Sequence, residues 1–262
     1  HFRRYVLSWL EDEIVARWEG TPAFWENGEV RLDEGRKERF VGTPSMSAVV
    51  AHLGRDLDTR FGQAVESVTG DKVWDLTVDN ESHGPFDAVL FGAPAPQTKT
   101  LAPHFEPKLS SVTYRPGWTS LISLGQGYEA PEWDSLRVVG SPVAWIARNT
   151  EKPGRVGDPA WVVQASSEWS QTHLEDDKEA VAAALLNEVK NLTGLEESHI
   201  VDNRAHRWRY GLVDSPLGEP CLWDPETRTG VCGDGCLGPR VEDAFLSGVA
   251  LAGRVLGWMR GE

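Results

Sequence analysis

Sulfur is scarce in this 262-residue chain, which has three cysteines and two methionines. Cys221, Cys232 and Cys236 are an odd and sparse set; they argue against a disulfide framework and point to reduced thiols in a cytosol. A zinc site would need a fourth ligand, so no metal is expected. Positive charge is also short: 26 Lys and Arg stand against 40 Asp and Glu, a formal net charge of −14. That balance excludes nucleic acid and anionic membrane as main partners, and solubility accounts for the acidity. No stretch approaches the ~18 apolar residues of a membrane span. No basic-then-apolar leader precedes the first elements. A Gly-x-Ser-x-Gly nucleophile turn is missing, and so is the phosphate-binding Gly-x-Gly-x-x-Gly, since Gly125-Gln126-Gly127 lacks the third glycine and a following helix. The chain opens on His1, without an initiator Met, in what reads as the middle of structure, which suggests a fragment.

What is present is an ordinary globular composition, 40% hydrophobic and 25% charged, with twelve tryptophans. Residues 1–20 carry a helical pattern with Phe2, Tyr5, Val6, Trp9 and Leu10 on one face. Residues 21–39 read as a hairpin or loop around Asn27-Gly28. Thr43 and Pro44 read as the cap and first position of a helix with Met46, Val49, Val50, Leu53 and Leu57 as its apolar stripe. Strand-like runs follow at 60–68, 72–78 and 86–91, the last stopped by Pro94 and Pro96 at a crossing point between domains. From about 97 to 205 short Trp-rich strands (111–114, 119–124, 136–139, 144–148 and 161–165) predict an antiparallel sheet with one side solvated or facing a ligand. A helix over 177–192 ends at Gly194, and a strand follows at 204–213.

Three stretches carry candidate chemistry. Residues 230–256 read as a short buried strand (Val231, Cys232), a Gly-Asp-Gly turn, a Gly-Pro helix start and a helix with Val241, Ala244, Phe245, Gly248, Ala252 and Val255 inward. Glycines admit a bulky ligand, Asp234 can accept from ligand hydroxyls, and the helix N-terminus favours an electron-rich group. An ordinary strand-to-helix corner would look the same. Arg204 to Tyr210 is the basic cluster of the chain: alternation puts His206, Trp208 and Tyr210 on one strand face and Arg207 and Arg209 on the other. One face can stack on planar rings while the other pairs with acids; aromatic core packing is the bland reading. Trp145, Arg148 and Asn149, followed by Lys152 and Arg155, again join a planar ring to cations and an amide.

Together these stretches resemble a known family. Residues 40–48 (Phe40-Val41-Gly42-Thr43-Pro44-Ser45-Met46-Ser47-Ala48), 141–149 (Ser141-Pro142-Val143-Ala144-Trp145-Ile146-Ala147-Arg148-Asn149) and 161–170 (Trp161-Val162-Val163-Gln164-Ala165-Ser166-Ser167-Glu168-Trp169-Ser170) occur in order. So do Ala205-His206-Arg207-Trp208-Arg209-Tyr210 and Cys232-Gly233-Asp234 with Arg240-Val241-Glu242. The set resembles the bacterial renalase-like NAD/FAD-dependent oxidoreductases, relatives of the flavin amine oxidases, over nearly the whole chain.

The resemblance implies an α/β (α+β overall) fold in which an incomplete FAD-binding Rossmann-like domain (37–96 and 206–262) is interrupted by an antiparallel β-sheet substrate domain (1–36 and 97–205). It implies that FAD meets Gly233 and Asp234 at its ribityl-pyrophosphate part, Arg240, Val241 and Glu242 at the flavin's pyrimidine edge, and the Val65 backbone at its adenine. Trp145, Arg148, Asn149, His206, Trp208 and Tyr210 would bind substrate, with no essential acid–base residue, because flavin carries the chemistry. Departures are the lack of the strand, Gly-x-Gly-x-x-Gly turn and helix with which family members open, Ser45 for a usual Gly, and Asp243 for a usual small residue. The expectation is a cytoplasmic oxidase that moves hydride from a reduced nicotinamide dinucleotide or an amine to FAD and reduces O2 to H2O2. A non-catalytic remnant or Trp-rich binding module and a flavin monooxygenase are the alternatives.

Overall fold

The computed structural model describes residues 2–33, 35, 38–125 and 127–261. Gln126 and the expected boundary at residues 36 and 37 lie outside the described residues. The chain divides into two compact units, one of Arg3–Leu57 and Pro116–Gly211, the other of Asp58–Arg115 and Leu212–Glu262 with Phe2. Among the described residues no helix is long and apolar enough to cross a membrane.

The first unit opens with α1 (Phe2–Glu11), β1 (Val15–Arg17), the hairpin β2 (Pro22–Glu26) and β3 (Glu29–Leu32), β4 (Phe40–Gly42) and α2 (Ala48–Gly54). The helix expected to run to Gly20 stops at Glu11, because Glu13 takes φ 60° and the chain turns into β1, which pairs with β4. Asn27 and Gly28 both have positive φ, the two-residue turn that matches strand twist. Thr43 is not a helix cap: its N–H donates to Ile14 O at 3.0 Å, which prolongs the β1–β4 pairing, and α2 starts at Ala48. Much of the expected stripe is open, with Met46, Val50, Leu53 and Leu57 exposed.

The chain then enters the second unit. β5 (Val65–Gly70), β6 (Trp74–Val78) and β7 (Glu81–Phe86) form an antiparallel sheet, with Asp79 and Asn80 at positive φ in the second turn. The run expected over 86–91 splits into the end of β7 and β8 (Val89–Phe91). Beyond β8 the prolines begin structure: α3 (Ala95–Leu101) and α4 (Glu106–Leu109), unread in the sequence, bury Ala95 and Leu109, and the turn between them buries Ala102 and Phe105. Proline is tolerated in the first helical turn, where its missing N–H is unpaired anyway.

Next come β9 (Thr113–Leu124), β10 (Ser135–Val138), β11 (Val143–Arg148), β12 (Ala160–Ala165), α5 (Ser167–Thr172), α6 (Lys178–Thr193) and β13 (Ile200–Ser215). They complete a seven-stranded sheet ordered β13-β9-β12-β11-β10-β2-β3, antiparallel from β9 to β10 and parallel between β10 and β2. Asp177 caps α6 by accepting from Glu179 N and Ala180 N, and Gly194 ends it at φ 71°. One sheet face, with Trp118, Ile122, Leu136, Ile146 and Val163, is sealed with Val181, Leu185 and Val189 of α6. The other face is wetter, since Leu121 on the same sheet is 48% exposed.

The chain closes in the second unit with β14 (Leu222–Asp224), β15 (Thr229–Val231), α7 (Asp234–Leu237) and α8 (Val241–Arg260). β15 lies between β14, antiparallel, and β8, parallel. The buried face of α8 differs from the expected one: Ser247 and Leu251 are buried, whereas Val241 is 75% exposed and Ala252 is also exposed. Ser247 escapes a hydropathy pattern because it is buried for a hydrogen bond, accepting from Gly233 N at 3.0 Å.

The two sheet faces make a direct test. Leu136→Ala, at a fully buried site, should cost about 2–5 kcal/mol in urea unfolding; Leu121→Ala, on the open face, should stay within about 0.5 kcal/mol.

Candidate functional site

In the first unit a cavity of about 910 Å³ lies against the β2–β10–β11 end of the sheet, lined by Arg17, Trp18, Phe24, Arg39, Arg137 and Trp145 among others. Strand register explains its chemistry. Arg137 of β10 sits opposite Trp145 of β11 on one side and Phe24 of β2 on the other, giving an aromatic–cation–aromatic row on one sheet face. Arg137 has no ion-pair or hydrogen-bond partner among the described residues. Trp18 is 93% buried as the complement of its 7% exposure, yet its Nε1 donor lacks a partner among them. The Arg39 guanidinium lies 4.1 Å from the Trp18 ring centroid and is tied to Ser135 Oγ at 3.0 Å. Lys152 is buried, with Nζ 5.5 Å from the Trp18 ring and 5.7 Å from the Trp145 ring. Burial, then the neighbouring Arg155, pushes its ammonium pKa down, with Asp134 opposing.

The row continues across the sheet, Trp145 opposite Gln164 and Gln164 opposite Thr119. Its relation to β13 follows from that strand's bonds. Asn203 bonds Ser120 Oγ and donates to Ala182 O of α6, so its parity looks to the sealed face. Arg207 and Arg209 share that parity and clasp Glu175: Arg207 Nη1 at 3.0 Å, and Arg209 Nη1 and Nη2 at 2.7 and 3.1 Å. Alternation puts His206, Trp208 and Tyr210 on the open face with Arg137 and Trp145. His206 and Trp208 meet edge-on at 4.5 Å, and Trp208 is 53% exposed.

The second unit offers a different geometry. Parallel strands β8 and β15 end side by side, Phe91 opposite Val231, and each is followed closely by a glycine. Gly92 has open space where a Cβ would sit, and Gly233 has φ 130°, a conformation that L side chains rarely adopt. Asp234 follows, with Oδ1 accepting from Gly235 N at 2.8 Å. The crevice beyond the carboxyl ends of parallel strands is where open α/β sheets take ligands.

A sequence profile of the flavin containing amine oxidoreductases matches residues 12–256. The chain belongs to this amine oxidoreductase family. Solved structures share the fold: a proposed protoporphyrinogen oxidase from Exiguobacterium sp. 255-15 superposes with TM-score 0.65 at 15% identity, over 82% of this chain and 52% of that one. An oxidoreductase from Methanosarcina mazei superposes with TM-score 0.50 at 15% identity, over 73% and 49%. The chain thus spans about half the length of the solved structures it matches.

In this family member the sequence-expected residues divide between the units. Trp145 lines the cavity, and His206, Trp208 and Tyr210 share its sheet face. Arg148 does not turn to the cavity rings: Nη1 donates to Pro131 O at 2.8 Å and Trp133 O at 3.1 Å, and Nη2 donates to Glu151 at 2.6 Å. Asn149 accepts from Lys152 Nζ at 3.1 Å and so helps seat that buried cation. Val65, Gly233, Asp234, Arg240, Val241 and Glu242 all belong to the second unit, Val65 at the start of β5 in a separate sheet. Asp243, unusual in the sequence, accepts from Arg240 N at 3.1 Å and caps the start of α8. Trp18, Phe24, Arg39, Arg137 and Gly92 went unread, because register and packing, not spacing, bring them to these positions. Among the described residues no group of His, Cys, Asp or Glu is placed to hold a metal.

Arg209, with Arg207, holds Glu175 below the ordinary carboxylate range. A depressed folded pKa stabilises above the unfolded value, and the gain is lost as pH falls through the folded one. Glu175→Gln should therefore unfold like the parent in acid and fall behind it only once pH passes the carboxylate range. A difference independent of pH would contradict this.

Proposed function

We propose that the protein acts as an FAD-dependent oxidase that takes hydride from a reduced nicotinamide dinucleotide and passes the electrons to O2, giving H2O2. Family membership supplies flavin oxidoreductase chemistry, and the Phe24–Arg137–Trp145 row carries the choice of donor. Two aromatic side chains beside an unpaired guanidinium suit a planar ring that carries phosphate. An amine donor would bring an ammonium toward Arg137, a like charge, so the anionic dinucleotide is favoured over it.

The second unit fits the cofactor's ribityl-pyrophosphate part, because side chains are missing at Gly92 and Gly233 where two strand ends meet and a carboxylate stands next to them at Asp234. Gly233 and Asp234 would hold that part, Arg240, Val241 and Glu242 at the start of α8 the electron-rich flavin edge, and the Val65 backbone the adenine. FAD, when bound, supplies the hydride acceptor and the route of electrons to O2. The chain's own residues bind and orient: Trp145 stacks, Arg137 pairs with phosphate, and Lys152 adds positive charge behind the rings. His206, Trp208 and Tyr210 extend the surface for the remainder of the donor. Asn149 seats Lys152, and Arg148, tied to Pro131 O, Trp133 O and Glu151, is left out of the binding surface. No side chain is asked to move a proton, so the acceleration comes from placing the donor carbon.

The visible spectrum tests the cofactor. Protein incubated with FAD and desalted should keep flavin absorption, and Gly233→Ala should keep less of it; a parent protein that stays colourless would sink the reading. Donor choice is tested by Arg137→Gln, expected to raise KM for the reduced dinucleotide about tenfold or more with kcat little changed, since charged hydrogen bonds contribute about 1.5–3 kcal/mol. His206→Ala should still permit flavin reduction. If it abolishes reduction while the donor still binds, the absence of an acid–base residue is wrong.

A further inference from the structure

We propose that Cys221 and Cys232 are a redox-active pair that closes into a cross-strand disulfide when the protein meets a hydroperoxide. Both belong to the second unit, and both are half-buried and reduced as they stand. Strands β14 and β15 pair antiparallel with Leu222 opposite Val231, Trp223 opposite Gly230 and Asp224 opposite Thr229. Continuing that register by one position sets Cys221 opposite Cys232.

The backbone bonds say which kind of pair this is. Cys232 N donates to Phe91 O at 3.0 Å, and Val89 N donates to Arg228 O at 3.1 Å. Residues 228, 230 and 232 therefore turn their peptide groups to β8, while 229 and 231 turn theirs to β14. Cys232 faces Cys221 as a non-hydrogen-bonded pair, the kind in which Cα atoms come within about 4.5 Å and side chains are closest. A disulfide spans Cα separations of about 4.4–6.8 Å. Both thiols share one sheet face. Trp223, two residues from Cys221, packs against Trp258 of α8, and a Cβ on Gly230, two residues from Cys232, would run into Leu251 of α8.

Burial, then Cys221 itself, pushes the Cys232 thiol up; burial pushes Cys221 up, with Arg254 opposing. Cys236 is buried more deeply, pushed up to about 11, with its thiol toward Val231 O. Cys221, less buried and helped by Arg254, is the thiol to react first. Its thiolate attacks the peroxide: an S–O bond forms, the O–O bond breaks and hydroxide leaves as water after taking a proton. The Cys232 thiolate then attacks that sulfur, an S–S bond forms, the S–O bond breaks and a second water leaves. Two thiols lose two electrons and two protons, and one H2O2 becomes two waters. The bridge would lock β14 to the residue that precedes Gly233 and Asp234. The oxidase proposed above would itself release the oxidant, but the pair stands without it when peroxide is added.

The test is peptide mapping of the full chain after treatment with H2O2, alkylation of the remaining thiols and digestion with trypsin. Cleavage after Arg228 separates Cys221 from Cys232, whereas Cys232 and Cys236 stay in one peptide ending at Arg240. Expected are a linked pair of peptides carrying Cys221 and Cys232, an alkylated Cys236, and reversal by dithiothreitol. The rate should rise with pH through the alkaline range, as the thiolates form. Cys232→Ser should leave no link and a singly oxidised Cys221, whereas Cys221→Ser should leave no link and an alkylated Cys232. A bridge confined to the Cys232–Cys236 peptide, a link between two chains, or three thiols still alkylated after peroxide would each overturn the proposal.

Discussion

One-sided burial of the seven-stranded sheet is the constraint on which the first unit depends. With α6 sealing one face, each strand is held in a single register, because a one-residue slip would turn Leu136, Ile146 and Val163 into water. The same rule dictates what the opposite face displays. Arg137, Trp145, Gln164 and Thr119 are aligned there because their neighbours are needed in the core. The side chains that line the cavity are thus placed by core packing and inherit its rigidity.

The second unit works by backbone and not by side-chain display. Two parallel strands end together, and glycine at both ends removes the side chains that would fill the crevice beyond them. Ser247 holds the Gly233 amide in place from α8, so the helix and the strand end are tied by one buried hydrogen bond. Cys221 and Cys232 lie just beside this point, one position beyond the last pair of the β14–β15 ladder. A chemical change there would be felt directly by the residues that precede Asp234.

Charge is divided with similar economy. Arg207 and Arg209 are spent on Glu175, and Arg148 on two backbone carbonyls and Glu151. Arg137 is left with no partner among the described residues, between two rings. In a chain with a net charge of −14 that distinction separates a cation that can meet a ligand from cations that hold the fold.

The sequence alone determined the mixed α/β class, the capped helix ending at Gly194, the Asn27-Gly28 hairpin and the strands that carry Trp145 and Trp208, because periodicity, caps and turn residues are local signals. Five motifs in order also pointed to relatives of the flavin amine oxidases, and the flavin containing amine oxidoreductase family, the broader of the two groups in that resemblance, matches residues 12–256. Tertiary structure decided the rest. It ended α1 at Glu11 to let β1 pair, made Thr43 part of a ladder instead of a cap, and buried Ser247 in place of Val241. It showed that Arg148 is tied to Pro131 O, Trp133 O and Glu151 while Arg137, unremarked in the sequence, stands between Phe24 and Trp145. The physical reason is the same in each case: these outcomes depend on partners far away in the chain, and a residue's neighbours in sequence carry no record of its neighbours across a sheet.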